Sequence, residues 1–122
     1  SIEKALKALD IVYLLGAVTC AISGVVIIYT AISRPEDLTS IAKLLSVARE
    51  TATTIVLLTG AIHIALAVLG TLTIITMWLR GRKRLLKYIA LATSVVALLL
   101  VAGYIVGAIA MLITSVLSIT KN

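Results

Sequence analysis

The stretch Trp78-Leu79-Arg80-Gly81-Arg82-Lys83-Arg84-Leu85-Leu86-Lys87-Tyr88 decides how this chain folds. Arg80, Arg82, Lys83, Arg84 and Lys87 crowd into one short loop, flanked by the charge-free runs Thr51–Leu79 and Tyr88–Thr120. Gly81 sits where a left-handed residue can close a helix, and Leu85 resumes the apolar pattern soon after. The two runs therefore read as helices joined in an antiparallel hairpin, with the cations at its tip.

Charge elsewhere cancels. Lys4, Lys7, Arg34, Lys43 and Arg49 balance Glu3, Asp10, Glu36, Asp37 and Glu50, so the net charge of +6 is this loop plus Lys121. A chain of 122 residues that is 61% hydrophobic, 13% charged and has a mean hydropathy of +1.21 is too apolar for a soluble globular domain. Its surroundings must be lipid or other copies of itself.

A third charge-free run, Ile11–Ser33, precedes the other two. Each exceeds the roughly 18 apolar residues that mark a bilayer-spanning helix. The last is too long for that alone: about 33 residues rise about 50 Å as a helix, against a hydrocarbon core of about 30 Å. Tilt, a kink or protein surroundings would absorb the excess.

The fold expected is all-α, one unit over residues 1–122 made of three long hydrophobic helices. Helix one covers about 2–32, helix two about 34–79, the basic turn 80–84 and helix three about 85–120. Ser33-Arg34-Pro35-Glu36 supplies the first break, since Ser33 can cap, Glu36 can complete a capping box and proline is tolerated in a first turn. Leu38, Ile41, Leu45, Ala48, Ala52 and Ile55 then follow a helical stripe opposite Glu36, Lys43 and Glu50, so helix two starts amphipathic and enters its apolar run without a breaker. Small residues recur four apart, at Gly16, Cys20 and Gly24 in helix one and at Gly103 and Gly107 in helix three, a spacing that lets backbones approach closely in an apolar medium.

The opening residues lack a short apolar core followed by a small-residue cleavage site, so no cleavable leader is expected within them. Cys20 stands alone, which excludes an intrachain disulfide. Gln is absent and Asn occurs only at Asn122, which fits avoidance of thermolabile amides in a thermophile.

The basic turn loads cations onto a helix start. Arg80 complements the end of helix two, but Arg82, Lys83, Arg84 and Lys87 oppose the dipole of helix three at roughly 0.3 to 1 kcal/mol each. Two readings follow: a topological signal, as in the Lys- and Arg-rich cytoplasmic loops of membrane proteins, or a surface that recruits phosphates, each cation gaining on the order of 1 kcal/mol near an anionic membrane. His63, the single imidazole, is either a hydrogen-bond donor to a neighbouring helix or a ligand or proton relay. No Gly-rich phosphate loop, no Cys or His cluster and no carboxylate after Glu50 supplies acid–base or metal chemistry, so neither an enzyme nor a metal cofactor is expected.

Two long apolar helices around the turn Arg80-Gly81-Arg82-Lys83-Arg84 resemble the conjugative pilins of type IV secretion systems, most narrowly the pilins of archaeal Ced DNA import. The resemblance covers helix two, the turn and helix three. It implies a subunit stored in the cell membrane, extracted with bound membrane lipid and polymerised into an extracellular helical filament. Arg80, Arg82, Lys83, Arg84 and Lys87 would then line a lumen beside lipid phosphates, with DNA as cargo and membrane machinery as partner. Such pilins are described with two membrane-crossing segments, whereas this chain has a third apolar helix, expected on the outer side of the hairpin with its amino terminus on the turn's side. The alternatives are an accessory subunit of a respiratory or transport complex and a hydrophobic coat protein of an archaeal virus.

Overall fold

The computed structural model describes residues 2–100 and 106–120, all of them in helices or short connections. The helices are α1 (Ile2–Ser33), α2 (Pro35–Leu45), α3 (Arg49–Arg80), α4 (Arg84–Leu99) and α5 (Val106–Thr120). By length and composition, two of them, α1 over Glu3–Ser33 and α3, could cross a membrane.

The long helix two expected over 34–79 is divided at residues 46–48. Ser46 adopts the left-handed conformation, at φ 56°, and the Ser46 and Val47 amides bond back to the Lys43 and Ala42 carbonyls. This is a Schellman closure with serine at the position glycine normally fills, which hides it from a search for Gly or Pro. Pro35 opens α2 as expected of a first-turn proline, although no side chain caps that end.

Helix three is also two helices. α4 ends at Leu99, and α5 runs back beside it, bringing Ser115 Oγ to 3.3 Å from Ser94 Oγ. A second reversal thus replaces the single 50 Å rod that the charge-free run suggested. Gly103 lies outside the described residues.

Specific contacts fix the helix directions. Asp10 meets Trp78, Tyr13 meets Gly70 and Gly24 meets Gly60, so α3 descends alongside an ascending α1. Tyr13 donates to the Ala90 carbonyl at 2.9 Å and His63 Nε2 lies 3.1 Å from the Leu100 carbonyl, so α4 returns along α3 in the direction of α1. Gly16 meets Gly107 while Arg82, held by Asp10, reaches Ser118, so α5 opposes α1. The result is a four-helix up-down-up-down arrangement.

Helix α1, expected on the outer side of a hairpin, is an integral wall of the bundle with one face inward and one outward. It packs on both α3 and α5, and buries Asp10, Tyr13, Ala17 and Cys20 almost completely. Its inward positions Leu6, Asp10, Tyr13, Ala17, Cys20, Gly24 and Ala31 keep the three-four spacing of heptads, as do Gly60, His63, Ala67, Gly70, Ile74 and Met77 on α3.

Small and polar residues are prominent in these seams. Ala, Gly, Ser, Thr and Cys line the interior together with Tyr13, Ile74, Met77 and Met111, whereas Ile11, Leu15, Val18, Ile22 and Val25 on α1 and Leu58, Ile62, Leu69, Leu72 and Leu79 on α3 face outward. Water would tolerate contiguous apolar patches of only a few hundred Å². Outward-facing Thr59 and Thr76 spend their hydroxyls on the carbonyl four residues back, at 2.8 and 2.7 Å, and so need no water. Among the described residues no buried side-chain polar atom lacks a partner.

The glycines permit this closeness. A Cβ on Gly16 would stand 2.6 Å from the Gly107 carbonyl oxygen, and one on Gly24 would stand 2.6 Å from that of Gly60. Backbone faces backbone at both crossings, and neither can give way.

Candidate functional site

One end of the bundle gathers nearly all of the net charge. The start of α1 brings Glu3, Lys4, Lys7 and Asp10, the end of α3 brings Arg80, the start of α4 brings Arg84 and Lys87, and Arg82 and Lys83 lie between. The opposite end holds Arg34, Lys43 and Arg49 against Glu36, Asp37 and Glu50, which cancel. Between the two ends the described helices carry no Asp, Glu, Lys or Arg.

Gly81 makes the turn possible. Its amide closes α3 onto the Met77 carbonyl, and its φ of 90° with ψ of 165° lies in a region essentially reserved for glycine. A side chain would meet no neighbour there, so the requirement for glycine is purely one of backbone conformation.

The five cations of the turn do not act alike. Arg80, Lys83 and Arg84 are exposed, and Arg84 stands over the Tyr88 ring with its guanidinium carbon 5.8 Å from the centroid. Lys87 is half-buried. Among the described residues none of these four has a carboxylate partner.

Arg82 points inward. Its Nη2 pairs with Asp10 Oδ2, its Nη1 reaches Asp10 Oδ1 at 3.2 Å and Ser118 Oγ at 3.4 Å, and its side chain is 18% exposed. Asp10 is only 2% exposed and takes a further hydrogen bond from Trp78 Nε1 at 2.7 Å. The carboxylate thus receives a two-pronged guanidinium and an indole donor, the geometry that makes a buried ion pair tolerable. Arg82, expected among the lumen cations from its place in the sequence, ties α1 and α5 to the turn through these contacts.

Asp10 and Trp78 were not singled out as a pair by the sequence. The available signal was the position of Asp10, a lone carboxylate at the start of an apolar run and in register with Leu6 and Tyr13 on the inward face. Trp78, near the end of α3, serves as a donor to this carboxylate.

Beside the clamp, an open cleft of about 350 Å³ is lined by Arg82, Arg84, Lys87, Tyr88 and Ile119. A smaller space, which shares Lys87 with the cleft, is lined by Asp10, Tyr13, Thr114, Ser115 and Ser118 among others.

His63 belongs to the far half of the bundle and is 2% exposed. Its Nε2 faces a carbonyl, which only accepts, so Nε2 carries the proton; Nδ1 lies 3.2 Å from Ser23 Oγ. The imidazole ties α1, α3 and the end of α4 together, and no group of three metal-ligating side chains occurs among the described residues. Cys20 is buried against Met111, with sulfur atoms 3.7 Å apart.

No family model, no curated protein and no solved structure matches this chain.

Proposed function

We propose that the chain is the structural subunit of a conjugation-like pilus, stored in the cell membrane and polymerised into an extracellular helical filament that conducts DNA. The observation that supports this reading is the segregation of Arg80, Lys83, Arg84 and Lys87, without carboxylate partners among the described residues, at one end of a bundle whose flanks are apolar. Apolar flanks suit both a bilayer before assembly and neighbouring subunits with acyl chains afterwards. The basic end suits a phosphate-lined lumen.

In that lumen, cations alone would hold a passing polyanion at many sites, and conduction needs weak multiple contacts. Membrane lipid phosphates paired with Arg80, Lys83 and Arg84 would neutralise the wall and leave it smooth to DNA. Arg82, already neutralised by Asp10, sets the shape of the tip rather than its charge.

The test replaces Arg80, Lys83 and Arg84 together by Ser. Filaments sheared from cells and viewed by negative-stain electron microscopy should be absent or depleted of lipid, with DNA transfer reduced. Normal filaments with unchanged lipid content and normal transfer would sink the proposal.

A second reading, an accessory subunit of a membrane complex whose basic loop only sets topology, is favoured by one observation. A single copy already satisfies its buried polar groups among the described residues. It predicts protein recovered only with detergent and no filaments on cells.

A further inference from the structure

Arg82 has two faces. One is held by Asp10 and Ser118 inside the bundle, and the other lines the open cleft that it shares with Arg84 and Lys87. At about 350 Å³ the cleft falls within the size range of small-ligand sites. Its walls combine cations with Tyr88 and Ile119, a pairing suited to an amphiphile whose phosphate meets the cations and whose apolar part follows the helix flank.

We propose that Asp10 and a lipid phosphate compete for Arg82, so that filling the cleft loosens α1 from the basic turn. This rests on the reading of the tip as a phosphate-facing surface. Asp10 engages both terminal nitrogens of Arg82, so an incoming phosphate finds the end-on bidentate edge of the guanidinium, one of its two, already used. Taking that edge means displacing Asp10, and Asp10 is the carboxylate that fixes α1 to the turn. Arg84 and Lys87, which have no carboxylate partner among the described residues, supply the initial attraction.

The molecule carries its own reporter. Trp78 is the single tryptophan, and its indole nitrogen donates to Asp10 at 2.7 Å, so its emission reads the clamp directly. The full chain is reconstituted in phosphatidylcholine vesicles and in vesicles containing phosphatidylglycerol, with inorganic phosphate added to the former as a separate arm. Head-group binding is followed by phosphorus NMR line broadening and the clamp by Trp78 emission.

Phosphatidylglycerol should broaden the phosphorus signal and shift Trp78 emission in the wild-type chain. Asp10→Asn should start from the shifted emission, fail to respond further, and bind phosphatidylglycerol about fivefold more tightly, the gain for one more cation engaged at an anionic surface. Glu3→Gln removes an exposed negative charge at the same end and controls for net charge; its affinity should change by less than about twofold, with the wild-type emission response intact. Arg82→Lys, which keeps the charge but loses the two-pronged grip, should give the shifted emission without phosphatidylglycerol and tests the clamp should Asp10→Asn fail to fold.

Binding without any emission change overturns the competition and leaves the phosphate-facing tip standing. No binding to either vesicle overturns both. A response to inorganic phosphate equal to that to phosphatidylglycerol overturns the lipid as the competitor, and equal affinities for Asp10→Asn and Glu3→Gln reduce the effect to net charge.

Discussion

At the scale of single residues, the molecule turns on Asp10. Removing one member of a buried ion pair leaves the other without compensation, at a typical cost of about 3–5 kcal/mol. Asp10→Asn should therefore lower the thermal unfolding midpoint in detergent micelles more than any single change among the exposed turn cations, as followed by circular dichroism. Tyr13→Phe is milder: it removes the donor to the Ala90 carbonyl but keeps the ring that rests on Gly70, for a loss of about 1 kcal/mol by the same measurement. The sequence displayed the basic loop plainly yet gave no hint that Arg82 differs from its neighbours. Sequence spacing groups cations by position along the chain, whereas pairing depends on which carboxylate a distant helix brings within reach. Asp10 is 72 residues away from Arg82, and formal charge counting had already set it against the lysines beside it.

At the scale of helices, the two breaks that the sequence did not display have separate causes. The first is Ser46, whose left-handed backbone carries a Cβ penalty that glycine avoids. Ser46→Gly should stabilise the chain by about 0.5–1 kcal/mol in chemical unfolding, and a loss of stability would mean that the α2–α3 corner is not held by that closure. The second is the opposed direction of α4 and α5, which the charge-free run does not announce because it lacks the polar punctuation that marks chain breaks in water. Existence and helical character of the long segments were legible from length and hydropathy alone. Which face turns inward was not, because hydropathy hardly varies around α1 and α3 while the heptad seam mixes small, polar and large apolar residues. Gly24→Ala tests the seam: its Cβ would press on the Gly60 carbonyl oxygen at 2.6 Å, so α1 and α3 must part, at about 1–3 kcal/mol.

For the molecule as a whole, the start of α1 and the basic turn lie at the same end, as an amino terminus on the turn's side requires. Cysteines introduced one at a time at Lys4 and Lys83, in a chain with Cys20→Ala, should react with a membrane-impermeant thiol reagent from the same side of sealed vesicles. One introduced at Glu36, at the neutral end, should react from the other. Labelling of all three from one side would place the bundle flat on the surface instead of across it. The separation of charge also makes the molecule sensitive to voltage. Each elementary charge carried across an energised membrane against 100 mV involves about 2.3 kcal/mol, so turning the bundle over would take its basic end through a barrier on the order of 10 kcal/mol from the field alone. On the pilus reading proposed above, a cell that maintains its membrane potential would keep every stored copy pointing the same way, and would hand an assembling polymer subunits that need no sorting.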